Sequence, residues 1–275
     1  MLKKINKLKW DLTRFGLTPS KLYHRRFSKT MLPIIFSNSV PKAGTHLVER
    51  LLCLHPNYYR KILPTLNEQN LSKYGNFESI LKKTKQNQIL IGHIHHSDKL
   101  EALLLNNSIK HILTVRNPKD VLLSRYHYVT TNPDHFYHKK VSSIKSFEEQ
   151  LRYCLYGNYE NKNHPYLSIN ETFSRFTSWD KTNTLFIKFE ELVGAKGGGD
   201  FNNQIEVFKK IFNFLDVSLS DKDFEFFAKN IFFKSSPTFR KGKINSWSDN
   251  LNEDLIIEIN KTLNPLCKSL GYEIS

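Results

Sequence analysis

The sequence predicts an α/β fold with a central parallel sheet flanked by helices. Four short apolar, β-prone runs, at 33–40, 88–93, 111–117 and 184–189, alternate with stretches of helical period. Strands spaced by helices in this way pair in parallel through crossover connections. The junction "VPKAGTHLVERLL" (40–52) passes from an apolar run into a helical pattern through a short polar turn. Open α/β sheets place their ligands at such turns. The chain has 275 residues, enough for one α/β domain or two small ones.

At the N-terminus, Leu2, Ile5, Leu8, Leu12 and Phe15 recur at helical spacing, with Lys3, Lys4, Lys7 and Lys9 off that stripe. This predicts an amphipathic helix that lies on an anionic membrane surface, docks on the domain, or trails as a tail. Residues 1–30 are read as this extension and 31–275 as a single domain. Helices are expected at 45–54, about 97–106, about 118–130 and 146–156. "GAKGGGD" (194–200) lacks G-x-G-x-x-G spacing and reads as a strand-to-helix linker. "NQIEVFKKIFNFLDV" (203–217) is an amphipathic helix. The last helix runs through about 252–270, with Gly271 as its cap.

Forty-one Lys and Arg against 26 Asp and Glu give a formal net charge of +15. Such a charge draws anions, although a general Lys, Asn and Ile bias accounts for much of it. Cys53, Cys154 and Cys267 are too few and too scattered for a disulfide scaffold or a zinc site, which points to a reducing, cytoplasmic setting. No apolar run approaches the ~20 residues of a membrane span. No secretory core follows the Lys-rich start.

Three stretches carry chemistry. In the first, a helix starting near Thr45 leaves the N–H groups of Ala43 to His46 facing outward at the positive end of its dipole. Lys42 adds a mobile charge and Thr45 a hydroxyl. The order is not that of G-x-x-x-x-G-K-[ST]. In the second, "TVRNPKDVLLSRYHY" (114–128), a strand ends at Arg116 and Ser124 lies two turns into the next helix. Together they form a second anion site, unless Arg116 simply pairs with Asp120. In the third, "FRKGKINSW" (239–247), Arg240 and Lys241 precede Gly242, as in a loop closing over an anion.

In this order the three resemble the sulfotransferases that use 3′-phosphoadenosine 5′-phosphosulfate (PAPS). The resemblance spans about 33–272. It implies a P-loop-NTPase-like three-layer fold. It also implies that Pro41-Lys42-Ala43-Gly44-Thr45, with His46 and Leu47, holds the 5′-phosphosulfate end. Arg116, Ser124, Arg240, Lys241 and Gly242 would take the 3′-phosphate, with Trp247 in the family's place after the Gly. Phe189, in "KFEELVG", stands near the adenine where the family often has Tyr. Two departures are plain. Many members follow the first loop with Thr-Thr-Trp, whereas here Thr45-His46-Leu47 stands, so adenine packing falls to Leu47 or an aromatic elsewhere. The Lys-Thr-His of cytosolic members is here Ile91-Gly92-His93. The family's short dimer motif is not found.

The resemblance implies in-line attack on sulfur without a metal. Lys42 would neutralise charge on the bridging oxygen and His93 would act as general base. His95 and His96, in "GHIHHSD", read as loop histidines, and a metal site there lacks a fourth ligand. "RYHYVTTNPDHFYH" (125–138) lines an acceptor pocket or is an ordinary surface helix. The expected partner is a small-molecule, glycan or lipid acceptor, not nucleic acid, with membrane contact through the N-terminal helix as an option. Two rivals stand. An ATP-dependent phosphotransferase would want the usual P-loop and Mg²⁺. A non-catalytic binder of acidic glycan or nucleic acid would show steep salt dependence and no turnover.

Overall fold

The computed structural model describes residues 2–162, 165–232, 244–249 and 251–274. The chain forms two compact units, Met1–Val115 with Ser178–Gly242 and Arg116–Thr177 with Lys243–Ser275.

The first unit contains the sheet. Its strands are β1 (Ile35–Ser39), β2 (Tyr59–Arg60), β3 (Leu66–Asn67), β4 (Gln88–His93), β5 (Lys110–Val115) and β6 (Thr184–Lys188). The order is β2-β4-β1-β5-β6, with β3 also on β4, and every pairing is parallel. All five residues of β1 are buried, as expected of a central parallel strand. Its register sets Asn38 against Gly92 and Leu113, and Ser39 against Thr114. The C-terminal ends of β1, β4 and β5 therefore share one edge, and that edge positions the site.

One face of the sheet is covered by the helices Thr45–Leu54, Phe201–Phe214 and Asp221–Asn230, through Val48, Leu51, Phe208, Ile211, Phe212 and Phe227. These sit at the 3.6-residue period that gives a helix one apolar face. The helix Leu2–Arg14 joins the same core through Trp10, whose ring lies under the Arg50 guanidinium at 4.7 Å. A second N-terminal helix, Pro19–Phe27, starts with Thr18 as side-chain cap and Pro19 in its first turn. It buries Lys21, whose ammonium donates to the carbonyls of His55, at 2.9 Å, and Tyr58. Burial pulls the Lys21 pKa down to about 8, partly opposed by Cys53.

The second unit is mostly helical: Pro118–Thr131, His138–Ser142, Phe147–Tyr156, Ile169–Thr177 and Glu253–Ser269. Arg152 pairs with Glu258 at 2.9 Å, and the Lys119 ammonium reaches Asn260 at 2.5 Å and lies 4.8 Å from the Trp247 ring centre. Arg125 sits over the Tyr166 ring at 3.9 Å, beside Tyr137 and Tyr153. Of the aromatics in 125–138, Tyr137 and Tyr126 pack, on Tyr166 at 4.6 Å and on Phe147 at 5.1 Å, while Phe136 is exposed. The last helix ends with Gly271 at φ 70°, and Tyr272 N–H and Gly271 N–H donate to Cys267 and Lys268 carbonyls. That is a Schellman cap, as the sequence predicted.

Candidate active site

The loop after β1 turns sharply. Ala43 N–H closes the turn on the Val40 carbonyl at 3.0 Å, so it is spent on the turn rather than facing outward with its neighbours. Gly44 at φ 99° caps the helix that begins at Thr45. As cap and first helical positions, Gly44, Thr45 and His46 have no carbonyl a turn behind them, and their N–H groups lie at the positive end of the helix dipole. Lys42 adopts φ 72°, a left-handed conformation that costs a non-glycine residue on the order of 1–2 kcal/mol. Gly44 is required for a second reason. A Cβ there would be driven into the Phe189 ring, which lies against this loop. Phe189 itself is buried at the end of β6.

His93 ends β4 on the same edge. Its Nδ1–H donates to the Ser39 carbonyl at 2.9 Å, and Ser39 Oγ is 3.2 Å from the same nitrogen. A carbonyl can only accept, so the proton is on Nδ1 and the Nε2 lone pair is left for another partner. Ser39 Oγ also meets Thr45 Oγ1 at 2.7 Å. The imidazole and the loop are thus joined through one serine. Burial lowers the His93 pKa to about 4. The Ser39 carbonyl opposes the shift, and the charges of His46 and Lys42 add to it.

Asn38 holds this edge in register. Its side chain donates to the Ile94 carbonyl at 2.8 Å and accepts from Ile94 N–H at 3.0 Å and Ser39 N–H at 3.1 Å. Sequence reasoning passed over Asn38 and Ser39. The signal was there: "SNS" is a polar triplet inside an otherwise apolar strand, and all three residues are buried. Gly92 also has a reason. A Cβ at this position would lie 2.8 Å from Phe36 Cε2, so a threonine would collide with that ring.

Below the loop, Glu49 is fully buried, with Arg60 at 2.9 Å and His46 at 3.3 Å. Burial pushes its carboxyl up, but hydrogen bonds from His46 and Arg60 and the Arg60 charge outweigh it and hold the pKa low. Leu47 packs, half-buried, against the core. His95 pairs with Glu68 at 3.6 Å and His96 with Glu101 at 3.2 Å, so these two histidines serve loop and helix start. Among the described residues, no group of three or more His, Cys, Asp or Glu is placed to hold a metal ion.

Arg116 and Ser124 belong to the second unit. Arg116 pairs with Asp120 at 3.5 Å, and Asp120 also accepts from Asn245 N–H at 3.0 Å and Ser246 N–H at 3.2 Å. Burial raises the Asp120 pKa against these three contacts. Ser124 is half-buried on the helix Pro118–Thr131. Arg240, Lys241 and Gly242 lie outside the described residues.

A family model described as the sulfotransferase domain matches residues 33–271. Sulfotransferase 6B1 of mouse is 27% identical over 238 residues, covering 78% of this chain and 70% of the relative. The human protein of the same name is 26% identical with the same coverage. In fold, mouse sulfotransferase SULT7A1 complexed with PAP aligns with a TM-score of 0.63 at 20% identity, over 91% of this chain and 90% of that one. Retinol dehydratase in complex with androsterone and inactive cofactor PAP aligns with a TM-score of 0.57 at 14% identity, over 93% and 87%. The sheet and its flanking helices are the P-loop-NTPase-like arrangement of these neighbours.

Proposed function

We propose that this chain, which belongs to the sulfotransferase domain family, moves a sulfuryl group from PAPS to a hydroxyl or amine acceptor. The family and the PAP-bound neighbours support sulfuryl transfer in general. The single observation that carries the finer reading is the hydrogen-bonded run Thr45–Ser39–His93, which joins an anion loop to a base.

The loop suits the donor's anionic end. It offers the N–H groups of Gly44, Thr45 and His46, the Thr45 hydroxyl and the Lys42 ammonium. Leu47 and Phe189 are the apolar neighbours assigned to the adenine side. Arg116, Ser124, Arg240, Lys241 and Gly242 are assigned to the 3′-phosphate. In the transfer, the acceptor oxygen bonds to sulfur as the bond from sulfur to the 5′-phosphate oxygen breaks. Lys42 and the loop N–H groups meet the charge left on that oxygen, a form of stabilisation that needs no metal. The acceptor proton goes to His93 Nε2, while the Ser39 carbonyl holds the opposite N–H and fixes the ring. A folded pKa of about 4 keeps the ring neutral throughout the neutral range, so the base is always available but intrinsically weak. An anionic donor beside it raises that pKa. The three buried free thiols suit a cytoplasmic setting.

Calorimetry with 3′,5′-adenosine bisphosphate (PAP) and adenosine 5′-monophosphate tests the donor. Each charge-assisted hydrogen bond to the 3′-phosphate is worth ~1.5–3 kcal/mol, so PAP should bind at least tenfold tighter. Equal affinities would overturn the reading and move weight to an ATP-dependent phosphotransferase.

A further inference from the structure

The 31 residues from Met1 to Met31 carry nine Lys and Arg and one acid, Asp11, a net +8 of the chain's +15. Their two helices are amphipathic in an unusual sense. The inner sides hold Trp10, the Asp11–Arg14 pair and the buried Lys21. The outer sides carry the large apolar side chains. Ile5, Leu8 and Leu12 form one exposed stripe at spacings of three and four, and Leu8 is 61% exposed. On the second helix Tyr23 and Phe27 are each 62% exposed, with ring centres 4.9 Å apart, and Met31 beyond them is 75% exposed. Lys7, Lys9, Arg25, Arg26 and Lys29, all exposed, stand among these side chains. Exposed apolar groups on this scale mark a contact surface. Apolar groups alone would suit a protein partner, and cations alone would suit nucleic acid. Leu, Tyr and Phe interleaved with Lys and Arg, with scarcely an acid among them, match an anionic bilayer interface.

The same segment borders a cavity of about 480 Å³ lined by Arg14, Phe15, His46, Ile62, Leu63 and Thr65 among others. Ile62, 75% exposed, forms part of its lining. Two residues past Thr65, Asn67 is the register partner of His93. The cavity thus lies between the end of the first helix, at Arg14 and Phe15, and His46 at the start of the helix after the loop, and its wall at Thr65 leads into the strand that pairs with the end of β4.

We propose that the outer face of the two N-terminal helices docks on an anionic bilayer, and that the acceptor is an alcohol carried by an amphiphile in that bilayer and taken up through this cavity. The acceptor half rests on the sulfuryl-transfer reading. The docking half does not.

The full chain is mixed with phosphatidylcholine vesicles with and without phosphatidylglycerol, each loaded with hexadecanol, and flotation is read alongside transfer from radiolabelled PAPS. Butanol in solution is the control acceptor. The enzyme should float only with phosphatidylglycerol and should sulfate hexadecanol at least about tenfold faster there. Lys7→Glu with Arg25→Glu should cut partitioning by about thirtyfold or more, at roughly fivefold for each cation lost. Leu8→Ser with Phe27→Ser should abolish flotation, and in both variants butanol sulfation should stay at the wild-type rate. Wild-type protein that does not float, or variants that float as wild type does, would overturn docking and hand the face to a protein partner. Flotation with hexadecanol sulfation indifferent to phosphatidylglycerol would overturn the acceptor class. Loss of PAP binding and of butanol sulfation together would sink the transfer reading and the acceptor class with it, while flotation would still decide docking.

Discussion

His93 and His111 sit two strands apart in one sheet, and both are held neutral. Burial lowers His93 to about 4 and His111 to about 3. Each has Nδ1 engaged, His93 with the Ser39 carbonyl and His111 with Thr184 Oγ1 at 2.8 Å. The difference is place along the strand. His93 is the last residue of β4, half-buried at the edge where the turn after β1 begins. His111 is the second residue of β5, 1% exposed, stacked on Phe36 at 5.2 Å and against Trp179 at 4.2 Å. A depressed pKa therefore does not single out a base. An accessible lone pair beside an electrophile's binding site does, and in a parallel sheet only the C-terminal ends of strands supply that.

The sharpest way to break this contrast is to remove each ring. His93→Ala should lower kcat by ~10²–10⁴, the usual worth of a positioned base, with PAP affinity kept. Steady-state kinetics beside calorimetry reads both. A full-rate His93→Ala would put the base elsewhere. The next test is stability against pH. Both rings have folded pKa values below the unfolded 6.5, so the native state prefers the neutral form. Their stabilising contribution is complete above pH 6.5 and declines as pH falls from 6.5 through 4 toward 3. Denaturant unfolding should show a loss of at least a few kcal/mol over that window, shallower in His111→Phe. A profile flat from pH 7 to 4 would contradict the burial argument. Ser39→Ala sharpens the His93 side alone. It keeps the carbonyl that fixes the ring and removes the hydroxyl link to Thr45, so kcat should fall by about tenfold, one hydrogen bond's worth. The smallest effect is expected from His111→Phe at neutral pH. Activity should stay within about twofold, and stability should change by less than ~1.5 kcal/mol, since the unpartnered Nε2 is removed while Thr184 loses one bond. A collapse of activity in this variant would make the buried ring as much a part of the chemistry as His93.

Much of this was legible in the sequence. The run 88–93 is β4 to the residue, and the helix 45–54 begins and ends as read. The helix lies between Gly44 and Pro56, and the strand is an apolar run between polar stretches. The helix Pro19–Phe27 was not read, because it inverts the usual rule: its buried contact is a lysine and its large apolar side chains face out. The two-residue strands β2 and β3 are too short to show a period. At the site, Lys42 to Thr45 stood out as a polar turn between strand and helix and His93 through the resemblance and its place at a strand end, whereas Ser39 and Asn38 act by side-chain reach between strands far apart in sequence. The Arg116–Asp120 pair, weighed from the sequence as the plain alternative to an anion site, is present at 3.5 Å.

The buried ammonium of Lys21 has a consequence for synthesis. The carbonyls it holds lie 34 and 37 residues further along the chain. At ~5–20 residues per second, the ribosome adds those carbonyls roughly two to seven seconds after the lysine. Until then the amine stays hydrated, and the first two helices emerge as a nascent cationic segment with no core to close on. The two helices are thus made before the carbonyls that fasten them, and that fastening waits on Tyr58.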